Sequence, residues 1–325
     1  MLSRRHFLVG ASTVAAPAFI RAARADAYPN RVVRLVVPFP PGGAVDAAAR
    51  IIANRLSEMW GRQMMIENRG GAGGNIAAQA VLNADADGYT VFIASIGHAI
   101  NQFIYPSLPY NPVRDFAPVT LMCVYPNIFA VPNSSPDHSV ADFIARAKAD
   151  PGKVTYASSG IGTSLHLCGE LFKRLAGVNL THIPYRGAGP ALSDLLPGRV
   201  DAIFANFPST LPLVLDGRVR GIAVTTAARQ PEVPDLPAIA ETVPGYDVSS
   251  WFALFVSAKT PPEIVARLNA DAVAALHYPA VTERYTQLGA RVVGSAPAEL
   301  ATFLQAEMDR WGPVIKAAGI TLDKS

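Results

Sequence analysis

The sequence predicts an α/β fold of two lobes, and three observations predict it. Apolar, strand-like runs alternate with helical patterns in two blocks, residues 32–95 and 140–225, as sheets of parallel strands covered on both faces require. The chain has 325 residues, half of them hydrophobic, whereas single cores stop growing near roughly 250–300 residues. Its 27 prolines and 25 glycines fall at segment ends and not in tracts, which marks many short turns.

The elements follow in order. Val32–Phe39 reads as a strand that stops in Pro40-Pro41-Gly42-Gly43, and a helical pattern follows with Asp46 in its first turn. Gln63–Arg69 is a second strand, Asn75–Asn83 a helix and Thr90–Ser95 a third strand. Residues Pro118–Val131 form an apolar stretch broken at Pro126. The second block runs helix Val140–Lys148, strand Lys153–Ser158, helix Ser164–Leu175, strand Asn179–Pro184, helix Pro190–Leu195 and strand Asp201–Phe207. A short helix near Leu211–Leu215 and a strand at Arg220–Thr225 complete it. After a proline-rich connection, Val248–Ser257 is a strand, and helices Pro262–Leu276 and Ala296–Lys316 enclose a small strand at Arg291–Val293. Thr260 and Ser295 stand where capping residues belong, each followed by proline and an acid. Crossing strands near residues 122–130 and 246–254 would divide the chain into one lobe of residues 26–124 with 250–325 and another of 125–249.

The first 25 residues are set apart. Arg4 and Arg5 precede an apolar stretch that ends in Ala23-Arg24-Ala25, an export signal with its cleavage site. Ser3-Arg4-Arg5-His6-Phe7-Leu8 is close to the twin-arginine consensus. This segment holds four arginines and no acid, so leaving it out takes the formal charge from +3 to −1. A nearly neutral mature chain offers no electrostatic case for nucleic acid or an anionic membrane. Cys123 and Cys168 sit in a strand-like run and a helical pattern, and two buried thiols are expected.

Ligands of open α/β sheets sit beyond the carboxyl ends of the strands. Five such ends carry glycine or hydroxyl loops that lead into helices: Phe39 to Gly43, Ser95 to His98, Ser158 to Ser164, Tyr185 to Gly189, and Asn206 to Ser209. Helix starts with unpaired N–H groups suit an anion with oxygen acceptors, most simply a carboxylate. Taken singly, each loop also fits a plain turn. Asp46 suits a helix start as well as a ligand contact, and Arg186 suits a substrate carboxylate as well as its own loop. His98 and His166 lack metal-ligand spacing, and Gly70 to Gly74 reads as a flexible turn. The catalytic motifs are missing: no G-x-S-x-G, no H-E-x-x-H and no phosphate-binding G-x-x-x-x-G-K-[ST]. Gly160-Ile161-Gly162-Thr163-Ser164-Leu165 begins like a dinucleotide fingerprint but has leucine at the third glycine, so no cofactor is expected.

PFPPGGAVDAAAR, ENRGGAGGNIAAQAV, DADGYTVFIAS, YASSGIGTSLHL, IPYRGAGPALSDLLPGRVD and PEVPDLPAIAE together resemble the solute-binding receptors of tripartite tricarboxylate transporters, the Bug family. The resemblance runs from about Tyr28 to the C-terminus. It implies a type II periplasmic-binding-protein fold, a periplasmic monomer that closes on an organic carboxylate and serves a membrane permease. Carried over by residue, the ligand would meet Phe39, Gly42, Gly43, Asp46, Ser95 and His98 in one lobe. The other lobe would offer Ser158, Gly160, Thr163, Ser164, Tyr185, Arg186 and Asn206. A carboxylate receptor that signals to a sensor, and a periplasmic enzyme with His98 or His166 as base, are the alternatives.

Overall fold

The computed structural model describes residues 28–322, so the export signal of residues 1–25 lies outside the described residues. The chain runs β1 (Val33–Val37), α1 (Ala44–Trp60), β2 (Met64–Asn68), α2 (Asn75–Leu82), β3 (Thr90–Ala94) and α3 (Ile96–Ile104) into the 17-residue strand β4 (Phe116–Pro132). Next come α4 (Val140–Ala149), β5 (Thr155–Ser158), α5 (Ser164–Ala176), β6 (Thr181–Pro184), α6 (Ala188–Leu195), β7 (Ala202–Asn206), α7 (Phe207–Leu215) and β8 (Val219–Val224). Strand β9 (Ser249–Ser257), helices α8 (Pro262–Leu276) and α9 (Pro279–Gln287), strand β10 (Arg291–Val292) and helix α10 (Pro297–Ala317) finish it.

Strand β1 pairs in parallel with β2 and β3, as a β-α-β-α-β order dictates, and β9 closes this sheet antiparallel to β3. A second parallel set, β6-β5-β7, joins β4 antiparallel through β7, while β8 takes β4's other edge. One strand therefore serves both sheets. Residues Phe116–Pro126 of β4 pair with β9, and residues from Asn127 onward pair with β7. Pro126 does not break the strand as its sequence suggests. It occupies the handover between the two ladders, and Pro118 sits at a register shift, the positions where a missing N–H is tolerated.

Helices α1, α8 and α9 pack on one face of the first sheet around Ile52, Leu254, Leu268 and Tyr285. The opposite core is continuous behind both sheets, from Phe92, Ile100 and Trp311 to Phe129, Phe172, Phe204 and Tyr246. A third cluster, with Leu192, Ile203 and Phe207, lies under α6 and α7. Cys123 and Cys168 are buried free thiols in β4 and α5. Two expected caps are absent. Thr260 Oγ1 has no hydrogen-bond partner among the described residues, and the Ser295 hydroxyl instead accepts the Leu121 N–H at 2.9 Å, tying the start of α10 to β4. Glu299 accepts the Ala296 N–H at 2.8 Å in its place.

Candidate functional site

The strand ends β1, β3, β5 and β7 hand over to helices α1, α3, α5 and α7, and α6 follows β6 after one short loop. Their starts converge on a cleft of about 410 Å³. Its lining includes Gly42 to Val45 at α1, Ser95 before α3, Thr163 and Ser164 at α5, Gly187 to Pro190 at α6, and Asn206 before α7. Five helix N-termini contribute to one cavity, and each brings unpaired N–H groups and the positive end of a dipole. Among the described residues no carboxylate lines the cleft, and Arg186 is the charged side chain in its wall. The cavity attracts anions through backbone and dipoles more than through cationic side chains.

The first wall is the loop Phe39 to Gly43, whose shape depends on a side chain behind it. Asp46 is 4% exposed. Its carboxylate accepts the Gly42 N–H at 3.1 Å, the Asn68 amide at 3.0 Å and the Arg50 guanidinium at 2.9 and 3.1 Å. The same Asn68 amide donates to the Phe39 carbonyl at 3.0 Å. Burial alone would raise the Asp46 pKa, but these bonds from Arg50, Asn68 and Gly42 outweigh it and lower the pKa. Gly42 has φ +91°, which a side chain would strain, whereas Gly43 has ordinary φ and a Cβ there would meet nothing within 4 Å.

The floor and second wall rest on neutral polar groups. Asn206 donates to Asn127 Oδ1 and to Ser250 Oγ, each at 2.6 Å, and Ser250 and Ser164 hydroxyls lie 2.6 Å apart. This network sits where β4 and β9 leave the first sheet, so it joins the cleft floor to the crossing strands. Thr163 caps α5: its hydroxyl donates to the Gly160 carbonyl at 2.8 Å and accepts the His166 N–H at 3.4 Å. Phe252, on β9, closes the floor with an apolar ring tilted against Tyr125 at a centroid distance of 5.0 Å.

Residues 48–320 match the sequence pattern of the tripartite tricarboxylate transporter family receptor. The chain belongs to this receptor family. It is 42% identical over 316 residues to the UPF0065 protein in the tcbD-tcbE intergenic region of Pseudomonas sp. (strain P51), covering 97% of this chain and 94% of that one. It is 36% identical to protein BugT of Bordetella pertussis, over 92% of each chain. Among solved structures, R. palustris Rpa4515 with adipate superposes with a TM-score of 0.87 at 44% identity, over 91% of this chain and all of that one. MatC from Rhodopseudomonas palustris with bound malate gives 0.84 at 34% identity, over 89% and 100%.

Of the residues expected at the receptor's site, the structure brings Phe39, Gly42, Gly43, Ser95, Thr163, Ser164, Arg186 and Asn206 into the cleft wall. The other five lie elsewhere. Asp46 stands behind the first loop, and Ser158 is fully buried under the second. Gly160 and Tyr185 line an adjoining cavity of about 770 Å³ that also touches Gly70 to Gly74, and the Tyr185 hydroxyl donates to Asp194 at 2.8 Å. His98 is part of the α3 helix and not of a loop, so its ring turns into the core. There it packs against Phe92, Phe116 and Phe255, with ring centroids 4.6–5.7 Å away, and neither ring nitrogen has a hydrogen-bond partner among the described residues. Burial lowers its pKa to about 3. The residues carried over by resemblance omitted Pro40, Pro41, Ser159 and Gly187 to Gly189, which lie in the candidate loops, and Ala44, Val45, Pro190 and Phe252, which lie outside them. Most adjoin named residues; the α6 pattern simply starts at Ala188, two residues before Pro190. Nothing local marks Phe252.

Proposed function

We propose that this receptor captures a small organic carboxylate in the periplasm and delivers it to the membrane permease of a tripartite transporter. Convergence of five helix starts on a cleft without a carboxylate is the observation that carries the reading. One carboxylate group would lie on the backbone donors at Gly42 and Gly43. The far end of the ligand would meet Thr163, Ser164, Asn206 and Arg186, with Phe39, Val45, Pro190 and Phe252 against its apolar body. A ligand that touches both walls favours the arrangement in which they are close, so binding would shift the protein toward a closed form that the permease reads. Adipate in Rpa4515 and malate in MatC make dicarboxylates the first acids to try. Export as a monomer through the twin-arginine route, with cleavage after Ala25, completes the proposal.

The test is a thermal-shift screen of the mature chain against adipate, malate, aromatic acids and acidic amino acids, with product analysis alongside. An acid at 100 times its Kd should add about 2.7 kcal/mol of stability and be recovered unchanged. A panel without a single shift would remove carboxylate capture, and an altered acid would make the protein an enzyme.

A further inference from the structure

Behind the second wall stand two histidines whose side chains do not line the cleft. The Gly162 N–H donates to Nδ1 of His166 at 3.2 Å, and the Ser158 hydroxyl lies 2.6 Å from Nε2 of His182. The same hydroxyl accepts the Gly160 N–H at 3.1 Å. The two imidazole rings stack at 4.1 Å, and the Tyr156 ring stacks on the outer side of His182 at 4.8 Å. Three elements thus feed one column: His166 from α5, His182 from β6 and Tyr156 from β5. The Tyr156 hydroxyl donates to Glu170 Oε1 at 2.7 Å, Lys173 pairs with the same carboxylate at 2.9 Å, and His166 Nε2 is 3.9 Å from it.

An amide N–H can only donate. Nδ1 of His166 must therefore present a lone pair, which fixes the ring as the uncharged form with its proton on Nε2. A second proton would set an N–H against the Gly162 N–H. His182 can meet the Ser158 hydroxyl as donor or as acceptor, so that contact places the ring without fixing its charge. We propose that His166 and His182 are positioning residues, which hold the Ser158-to-Ser164 segment in the shape that lines the cleft for as long as His166 stays uncharged. Ser159, Thr163 and Ser164 of that segment reach the cavity; the histidines act through them. The surroundings agree. Burial, then Lys173, lowers the His166 pKa to about 4; burial, then His166, lowers that of His182 to about 3, with Glu170 opposing.

The inference rests on the carboxylate reading only for what the cleft binds, so part of its test needs no ligand. Imidazole 15N NMR of the parent between about pH 8 and pH 5 should show His166 protonated on Nε2 alone. A proton on Nδ1 at neutral pH would overturn the proposal. His166→Phe keeps a planar ring in the column and removes the acceptor; His166→Asn puts a polar atom back near Nδ1. Amide exchange at Gly162 and Thr163 should speed about tenfold in His166→Phe, as the loss of one hydrogen bond implies, and much less in His166→Asn. Adipate affinity, measured by calorimetry, should follow the same order. Equal exchange and equal affinity in both variants would make the column mere packing. Should His166→Phe fail to fold, His182→Phe against His182→Gln puts the same contrast to the Ser158 hydroxyl. A parent that ignores adipate would count against that acid, while NMR and exchange would still decide the role of the histidines.

Discussion

The two loops that face each other across the cleft are held by opposite chemistry. The segment after β1 is fixed by a charge: Asp46 gathers Gly42, Asn68 and Arg50 onto one ionised carboxylate. The segment after β5 is fixed by neutral polar groups, Ser158 with His182 and Gly162 with His166, and the second bond needs an uncharged ring. Both conditions hold at neutral pH and fail in different acid windows. Above about pH 6.5 the histidines are neutral folded or unfolded. As pH falls from there toward about 4, the unfolded chain takes up protons that folded His166, His182 and His98 refuse, and stability declines. The Asp46 contribution lasts longer: present above its unfolded value of about 3.9, it goes as pH falls through its lower folded value. The contribution of the second wall's histidines to stability therefore begins to fall at a higher pH than that of Asp46 behind the first.

Six substitutions break or sharpen that contrast. Asp46→Ala should have the largest effect, since it leaves the Gly42 N–H without its acceptor and frees one of Asn68's two bonds. About 1.5–3 kcal/mol of stability should go, measured by denaturant unfolding, and affinity should fall with it. Arg50 is 52% exposed, so its share of that loss is small; Arg50→Ala costing as much would assign the loop to the ion pair. Gly43→Val should come next. Its Cβ meets open cleft, so melting should hold while affinity drops about tenfold, or 1.4 kcal/mol, by calorimetry. Unchanged affinity would reduce this loop to a turn.

On the second wall, Thr163 and Ser164 should separate. Thr163→Ala removes a helix cap and should cost about 1 kcal/mol of stability, with a smaller loss of affinity than Ser164→Ala. Ser164→Ala should keep its melting temperature and lose affinity, because that hydroxyl stands in the cleft on the Ser250 network. The reverse result would place the ligand closer to the loop than to the floor. His98→Phe should have the smallest effect. Its ring has no hydrogen bond to lose and sits among three phenylalanines. Stability at pH 7 should stay within about 1 kcal/mol, affinity should not move, and the decline in melting between about pH 6.5 and 4 should flatten. Lost affinity would return His98 to the binding site.

The strand and helix order was legible residue by residue, because alternation, proline and glycine report local backbone needs. Helix α8 spans Pro262–Leu276 as read, and β5, β7 and β9 fall within two residues of expectation. The five glycine or hydroxyl loops could be placed at strand ends for the same reason, and eight of thirteen named residues reach the cleft. What failed depended on partners distant in sequence. Asp46 reads alike as contact or brace, and only Asn68, brought alongside by the β1–β2 pairing, makes it a brace. His98 stands beside a cleft loop in sequence, but a helix turns successive side chains by about 100°, and the aromatic cluster claims its ring. Pro126 reads as a break until two sheets share one strand. Phe252 and Ser250 reach the floor because β9 returns between β3 and β4 more than a hundred residues after either. Local sequence determined what each segment is; which neighbours it meets, and so which side chains face the ligand, was decided by the tertiary packing of those segments.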